Sequence, residues 1–423
     1  MQELLARLAA LVAQAPITGD PLEDDPTTAA LRHVVGATMR LVCRLPPAEQ
    51  AELLGRVCQI PLDAVRAAQE PLDVPRVASA LRLLCAAFTD FGQATMLVDS
   101  SRAVFLRLVE AHWPLLHGLT AAPAAHHGPV AAALSDALAA AVASAGSDRG
   151  ALLVHVAPTL GALFTATRHH APLGALADAA ERSGGAGADA AAAAPLYAAI
   201  GAAVKTVSGA VAAPPHPPPE LLQAALALLS RCAIFHPWYV LRADELRGAV
   251  DLATHGMRQA ERPVVQDAVA LMVHLLAPAP VQQRMIKERH VDTEPLQALV
   301  TAALPSLVPA ILECMCSSCP PESWRSAGRL VYQLLSTYGA PAAAALQDAL
   351  RGGALRALAT TPLSAADCAS VLDVLQANPQ LPERRFVAMM DDFAGIAHGV
   401  RSHDDLLVYA LPPRRITVEV DVC

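Results

Sequence analysis

The sequence predicts an all-α fold, a HEAT-repeat-like α–α superhelix in which antiparallel helix pairs stack into a solenoid. Three observations carry that expectation. Apolar residues recur at the three-and-four spacing of an amphipathic helix along most of the chain. Proline pairs punctuate the helical stretches at short intervals. Apolar residues make up 54% of the 423 residues but aromatics only 4%, so alanine, which favours helix and close helix contact, supplies much of the apolar content. A single helix pair cannot cover both of its apolar faces and must stack on others of its kind. The length suits about ten pairs of ~40 to 47 residues.

The first elements follow a rhythm of helix, proline turn and helix. Leu4, Leu5, Leu8, Leu11 and Val12 form a short helix that stops before Pro16, and a loop from Gly19 through Pro26 follows. Thr27 caps the next helix, which runs to about Leu45. Pro46-Pro47 starts another with Leu53, Leu54 and Val57, a bend at Pro61, then Leu62 and Val65. Val77, Leu81, Leu84, Cys85 and Phe88 make a face between Pro75 and Phe91. Val104 to Leu119 makes the next, interrupted at Trp113-Pro114, and Pro129 to Ala145 and Leu152 to Thr167 continue the alternation.

From Ala171 to Ala213 complexity falls. Gly184, Gly185 and Gly187 mark a flexible loop, and the alanines before Pro195 read as a thin helix or a disordered piece. Pro214 to Pro219 is a stiff extended spacer ending where a strong helix starts at Glu220. That helix carries Leu222, Ala225, Leu226, Leu229, Cys232 and Ala233 and closes at His236-Pro237. Leu246, Val250, Ala253 and Met257 form one more face, Pro263 opens a helix with Val265, Val269, Met272 and Leu276, and Pro278 to Asp292 reads as a linker.

The sharpest pair lies between Leu296 and Leu350. Leu296, Leu299, Val300, Ala303, Leu307, Val308, Ile311, Leu312 and Met315 share one helical face, with Pro305 and Pro309 expected to bend or break it. After Pro320-Pro321, Glu322 complements the helix dipole and Leu330, Val331, Leu334, Leu335 and Tyr338 form the second face, stopped at Gly339-Ala340-Pro341. Ser364 to Leu375, Pro382 to His398 and His403 to Tyr409 add further helices. Ile416, Val418, Val420 and Val422 alternate like a strand without a partner, so that tail is expected to be disordered. The domain organisation is then N-terminal HEAT-like repeats over 1–182, Gly/Ala/Pro-rich loops around one thin helix over 183–219, C-terminal HEAT-like repeats over 220–411, and a tail over 412–423.

A net charge of −8, from 39 acidic and 31 basic residues, argues against general affinity for nucleic acid or anionic membranes and for basic partners. Only Lys205 and Lys287 are lysines, a bias that reads as nucleotide composition before guanidinium chemistry. Nine cysteines without a framework suit a reducing compartment and no disulfides. Glu3 and Arg7 within the N-terminal apolar period make an amphipathic helix rather than a signal peptide. Pro295 to Leu312 just reaches the length of a minimal membrane span, but Gln297, Thr301, Ser306 and two prolines fit a solenoid helix better. Cys423 is the last residue and lacks the following residues of a prenylation box.

Candidate chemistry is thin. Cys314, Cys316 and Cys319 could offer three thiolates to zinc, yet no CxxC elsewhere completes a tetrahedron and a helix splays the first two. Small buried thiols at a helix end are the plainer role. His126-His127 and His169-His170 lack a carboxylate or cysteine arrangement that would fix a tautomer and read as loop residues. Asp391-Asp392 and Asp404-Asp405 are adjacent on helices and so point apart, giving a solvated or partner-facing acidic edge. With no phosphate-cradling loop and no nucleophile motif, no catalytic, cofactor-binding or metal-binding residue is assigned, no cofactor is expected, and cargo-binding residues are not identifiable.

Four ordered segments resemble a known family: His33 to Pro71, "HWPLLHGL" at His112 to Leu119, Leu228 to Leu276, and "ILECMCSSCPPESWRSAGRLVYQLL" at Ile311 to Leu335. Together they resemble the C-terminal half of the transportin-3 and importin-13 branch of the importin-β (karyopherin-β) superfamily, with gaps, from about Ala30 to about Arg401. The resemblance implies a nonenzymatic receptor that carries protein cargo through the nuclear pore, between cytoplasm and nucleus, with pore components as further partners and the small GTPase Ran as the release signal. Family members hold their main Ran-binding repeats in the N-terminal half, beyond which this chain begins, so a fragment, an incomplete product or a half-length relative is expected. The arginine-rich helix that suits phosphorylated Arg/Ser cargo aligns with Val130 to Ala145, which has no arginine, so cargo of that kind is not expected. A helical scaffold subunit without a transport role is the competing expectation. A thiolate-metal enzyme or sensor is a third.

Overall fold

The computed structural model describes residues 3, 7, 26–95, 99–184, 193–212, 214–378 and 381–410. Those residues form twenty α-helices and no strand. The fold is all-α, a stack of paired helices of the HEAT-repeat kind. The expected N-terminal helix at Leu4 to Val12, the Thr27 side-chain cap, the loop at Gly185 to Gly187 and the strand-like tail from Pro412 lie outside the described residues and side chains.

By packing the chain divides into two compact units, Met1–Val240 and Leu241–Cys423. Unit 1 holds α1 (Pro26–Val42), α2 (Pro47–Ala67), α3 (Val74–Thr95), α4 (Asp99–Gly118), α5 (Gly128–Ser144), α6 (Arg149–Thr167), α7 (Ala171–Ser183), α8 (Ala194–Val211), α9 (Pro219–Phe235) and the short α10 (Pro237–Val240). Its strongest packing runs between alternate helices: α1 on α3, α3 on α5, α5 on α7 and α7 on α9 make one layer, while α2 on α4 and α6 on α8 make a second. Most of these helices are therefore covered chiefly by the next but one, which is how a row of helix pairs shelters apolar faces that no single pair could bury.

Two glycines set the spacing of the first layer. A Cβ on Gly92 of α3 would stand 2.9 Å from the Ser144 Cα of α5, and one on Gly36 of α1 would overlap the Asp90 carboxylate of α3. Without side chains there, Ser144 Oγ reaches the Phe88 carbonyl at 2.6 Å and Arg40 pairs with Asp90. Arg231 of α9 pairs with Glu181 of α7 at the far end of the same layer.

Unit 2 holds α11 (Ala243–Gly256), α12 (Arg262–Leu276), α13 (Pro280–Glu288), α14 (Glu294–Cys316), α15 (Pro321–Tyr338), α16 (Ala340–Arg351), α17 (Ala354–Leu358), α18 (Ala365–Ala377), α19 (Glu383–Ala397) and α20 (Asp404–Ala410). It repeats the arrangement, with α11 on α14, α14 on α16, α16 on α18 and α18 on α20 in one layer, and α12 on α15 and α15 on α19 in the other. Arg329 to Glu383 at 3.0 Å and Arg325 to Asp391 at 3.6 Å link α15 to α19 at the surface. Exposed pairs of this kind contribute about 0–1 kcal/mol each, so they register the helices while the apolar faces hold them.

Several expectations need correcting. The helices do not break at Pro114, Pro305 or Pro309, since α4 and α14 run through them, and α2 likewise continues through Pro61. An internal proline removes one backbone bond and crowds one carbonyl, a loss that packing along both neighbours outweighs, as for α14 between α11 and α16. The stretch read as a linker, Pro278 to Asp292, contains α13, whose start is fixed by the Ala279 N–H donating to Gln282 Oε1 at 2.6 Å and whose Met285 is buried. The helix α16 just past Gly339 was not expected; there Gly339 turns the chain at φ 54° and Ala342, Ala345, Leu346 and Leu350 are buried. The alanine-rich region yields two packed helices, α7 and α8, and α8 buries Leu196, Tyr197, Ile200, Val204 and Val207.

Candidate functional site

The residues singled out as chemistry-bearing are, for the most part, used by the fold. Cys314, Cys316 and Cys319 are buried at the end of α14, and Cys316 lies near Cys368 of α18. Burial, then the neighbouring Cys368 and Glu313, pushes the Cys316 thiol up to about 12. A hydrogen bond with Cys319 and then burial hold Cys314 well above the ordinary thiol value. Raised in this way, Cys314 and Cys316 are poor nucleophiles at neutral pH. Among the described residues no group of three His, Cys, Asp or Glu is placed to hold a metal ion.

His169 and His170 stack on each other at 4.3 Å between ring centroids, and His169 Nδ1 accepts the Ala171 N–H at 3.2 Å at the start of α7. Burial, then the His170 charge, lowers the His169 pKa. His126 and His127 are exposed in the turn before α5. Asp391 and Asp392 do diverge: the first faces Arg325, while the second takes Arg401 at 3.5 Å and the Tyr409 hydroxyl at 2.6 Å. Asp405 accepts the Ser402 N–H at 2.8 Å and caps α20.

Ser364, Asp367 and His403 are brought together and invite comparison with a hydrolase triad. The bonding order is wrong for one. Ser364 Oγ donates to Asp367 Oδ2 at 2.6 Å and His403 Nδ1 lies 2.7 Å from Asp367 Oδ1, so serine and histidine both bond the carboxylate and no base faces the hydroxyl. The group is a helix cap on α18 that also ties down α20.

What remains open to a partner is a slot on the first layer of unit 1. It is a cavity of about 440 Å³ floored by Ala139, Ala140 and Ala143 of α5, with Thr89 and Gln93 of α3 on one side and Asp178 and Arg182 of α7 on the other. Asp136 projects into it from α5, whose outward stripe is otherwise proline and alanine. Burial raises the Asp136 pKa, Arg82 opposes that, and the Asp178 charge adds to it. Two carboxylates facing each other across a partly desolvated floor are better satisfied by a third, positively charged group than by each other. A guanidinium or ammonium group inserted between them meets opposite charge and a flat apolar seat. Asp136 was legible as the single charge in Val130 to Ala145, but its neighbours Asp178 and Gln93 come from helices more than forty positions away and carried no local signal.

Three described stretches, Gly146–Thr167, Ala194–Val211 and Glu294–Cys316, are long and apolar enough to cross a membrane by length and composition. In the stack they are layer members, with α14 packed on both sides.

No protein-family model matches the sequence, and no curated protein matches it. Among solved structures, one of importin-13 in its cytosolic state is similar over 94% of this chain, with a TM-score of 0.67 and 14% identity. The chain spans 43% of the length of that structure. An engineered protein aligned over 93% of this chain and 98% of its own, at 12% identity, has a TM-score of 0.23 and carries no argument. The likeness to importin-13 supports an importin-β-like helical-repeat fold.

Proposed function

We propose that this chain is an importin-type nuclear transport receptor of the transportin-3 and importin-13 kind, or part of one, and that it binds protein cargo on the surface of its stacked helices. The observation that carries the reading is the fold likeness to importin-13 over nearly the whole chain. The ordered motifs of the sequence point the same way. A nonenzymatic role agrees with cysteines buried at the end of α14 and with a serine that faces no base.

The α3–α5–α7 slot is the proposed cargo contact, and a basic segment is the proposed occupant, because Asp136 and Asp178 both line it and the whole chain is acidic. Residence in both cytoplasm and nucleus, contact with pore components and sensitivity to Ran belong to the same proposal.

The test is import in permeabilised cells with fluorescently labelled protein, alongside pull-down of bound proteins with and without GTP-loaded Ran. A transport receptor accumulates at the nuclear rim, carries its bound protein inward and releases it to GTP-loaded Ran. A chain that binds proteins but is excluded from nuclei and indifferent to Ran is the alternative, a nonenzymatic helical scaffold subunit.

A further inference from the structure

Unit 2 carries a second cavity of opposite sign. The segment after α11, the α14–α15 turn and the segment after α19 enclose about 680 Å³, and the wall includes Arg258, Arg262, Ser317, Ser318, Trp324 and His398 but no carboxylate. In a chain of net charge −8 such a wall is an exception. We propose that this cavity receives a carboxylate side chain from an acidic segment of a partner protein, held between Arg258 and Arg262 with Ser318 as a third donor. The proposal is independent of the nuclear transport reading.

The two arginines are differently prepared. Arg262, the first residue of α12, is exposed and has no ion pair or hydrogen bond with the described residues, so nothing in the fold neutralises it. Arg258 is fixed in place: its Nε donates to Glu313 Oε2 at 3.0 Å and its Nη2 to the Ser306 carbonyl at 3.3 Å, leaving Nη1 available. A held guanidinium loses little freedom when it binds, and Nη1 offers a charge-assisted hydrogen bond to a carboxylate.

Ser318 adds the second kind of observation. Its Oγ is closed off from solvent and has no hydrogen-bond partner, whereas Ser317 Oγ next to it donates to the Glu313 carbonyl at 2.7 Å. A buried hydroxyl without a partner is an unmade bond, and an acceptor delivered into the cavity would complete it. The wall is rigid: Trp324 Nε1 donates to the Cys319 carbonyl at 2.9 Å, and its ring stacks on His398 at 5.0 Å. His398 Nε2 donates to the Met315 carbonyl at 2.9 Å, which fixes the position of the ring. The start of α15 adds little, because Pro320 and Pro321 have no N–H and the Ser323 N–H already bonds the Pro320 carbonyl at 2.8 Å. Recognition therefore rests on side chains. Ala260, Pro321 and Val400 leave room for an apolar neighbour of the acid.

The experiment titrates the full chain into a fluorescein-labelled hexapeptide of alternating glutamate and leucine at low salt and follows anisotropy. Saturable binding is expected, weakened about fivefold by Arg262→Gln and about twofold by Ser318→Ala, the scale of single charge-assisted and neutral contacts at a partly exposed site. Arg351→Gln, at an exposed arginine of α16 outside the cavity, leaves the affinity unchanged. Arg262→Lys keeps the charge and stays close to wild type. No saturable binding, or equal losses for the Arg262→Gln and Arg351→Gln variants, overturns the proposal, as does equal loss for the Lys and Gln variants at Arg262. Competition by inorganic phosphate or a single-stranded RNA as effective as that by unlabelled peptide overturns the choice of an acidic protein segment.

Discussion

The phenolic oxygen of Tyr197 on α8 lies 2.9 Å from Nδ1 of His236, with both side chains closed off from solvent. The direction of the bond follows from the other side of the ring. His236 Nε2 is 2.8 Å from the Ala180 carbonyl, which can only accept, so Nε2 carries the proton and Nδ1 is the acceptor. Tyr197 therefore donates to His236, and its oxygen accepts from Trp238 Nε1 at 3.1 Å. Tyr239 stacks on Tyr197 at 4.5 Å and its hydroxyl donates to the Tyr197 carbonyl at 2.9 Å. The network ties α7, α8 and the segment after α9 into one corner of unit 1.

Replacing Tyr197 by phenylalanine keeps the ring and removes the donor to His236 and the acceptor of Trp238 together. The expected cost is about 1–3 kcal/mol, the range for leaving buried polar groups unmatched. Urea unfolding of the Tyr197→Phe variant measures it, and a midpoint equal to wild type would show that the hydroxyl bonds contribute nothing net.

Gly92→Val tests the spacing of the α3–α5 contact. The new side chain meets the Ser144 backbone, which has no flexible end to move aside. Overpacking of this kind costs about 1–3 kcal/mol, and loss of the Ser144 Oγ bond to the Phe88 carbonyl adds to it. A lowered melting temperature is expected, accompanied by faster amide exchange in both helices. Gly118→Val, where a Cβ meets nothing within 4 Å, serves as the control.

Buried thiols should be unreactive until the chain opens. Burial pushes Cys58 and Cys232 up to about 12, and Cys316 reaches the same value. Brief treatment with iodoacetamide at mildly alkaline pH, followed by peptide mapping, is expected to leave these three unlabelled in native protein and to label them in urea. Burial also raises the thiols of Cys43, to about 11, and Cys85, but both are only half-buried and are expected to react before these three.

Stability should fall as pH drops through the histidine range. Burial comes first among the causes that lower the pKa of His112, His169 and His274 below the ordinary 6.5, joined by Arg66 at His112 and by His170 at His169. Between the lowered native value and 6.5 the unfolded chain binds protons that the native chain does not, so stability is lost as pH falls. The melting temperature is expected to decline from about pH 7 to about pH 5, and His274→Gln to flatten part of that decline.

A separate loss belongs to the acid range. Burial alone would raise the Asp367 pKa, but hydrogen bonds from Ser364 and His403 outweigh it and hold the carboxyl below 3.8. A depressed carboxylate gives stability that is present above 3.8 and lost as pH falls through its native value. Asp367→Asn removes the charge from the cap and is expected to cost about 1 kcal/mol at neutral pH. Hydrogen exchange should show the loss in α20 before the rest of unit 2.

Period and punctuation in the sequence were enough to specify helices, their faces and the need to stack. The set Leu222 to Ala233 is buried as its spacing required, and of the face from Leu330 to Tyr338, Leu330, Val331 and Leu334 are buried while Leu335 and Tyr338 are half-buried, because a helical face is a property of residues three and four apart. Prolines misled the reading where they suggested an interruption, at Pro114, Pro305 and Pro309, since whether a helix survives a missing bond depends on neighbours that the local sequence does not contain. The same dependence hid α13, whose few apolar residues become informative only against a partner helix, and α16, whose alanines show no face by themselves. The sites were less legible still. Asp136 meets Asp178, Arg258 shares a wall with Arg262 and Ser318, and Tyr197 meets His236 only because alternate helices lie side by side. Composition and periodicity determined that this chain is a row of helices; the stacking geometry alone decided which charges face one another, because electrostatic partnership depends on distance in space and not along the chain.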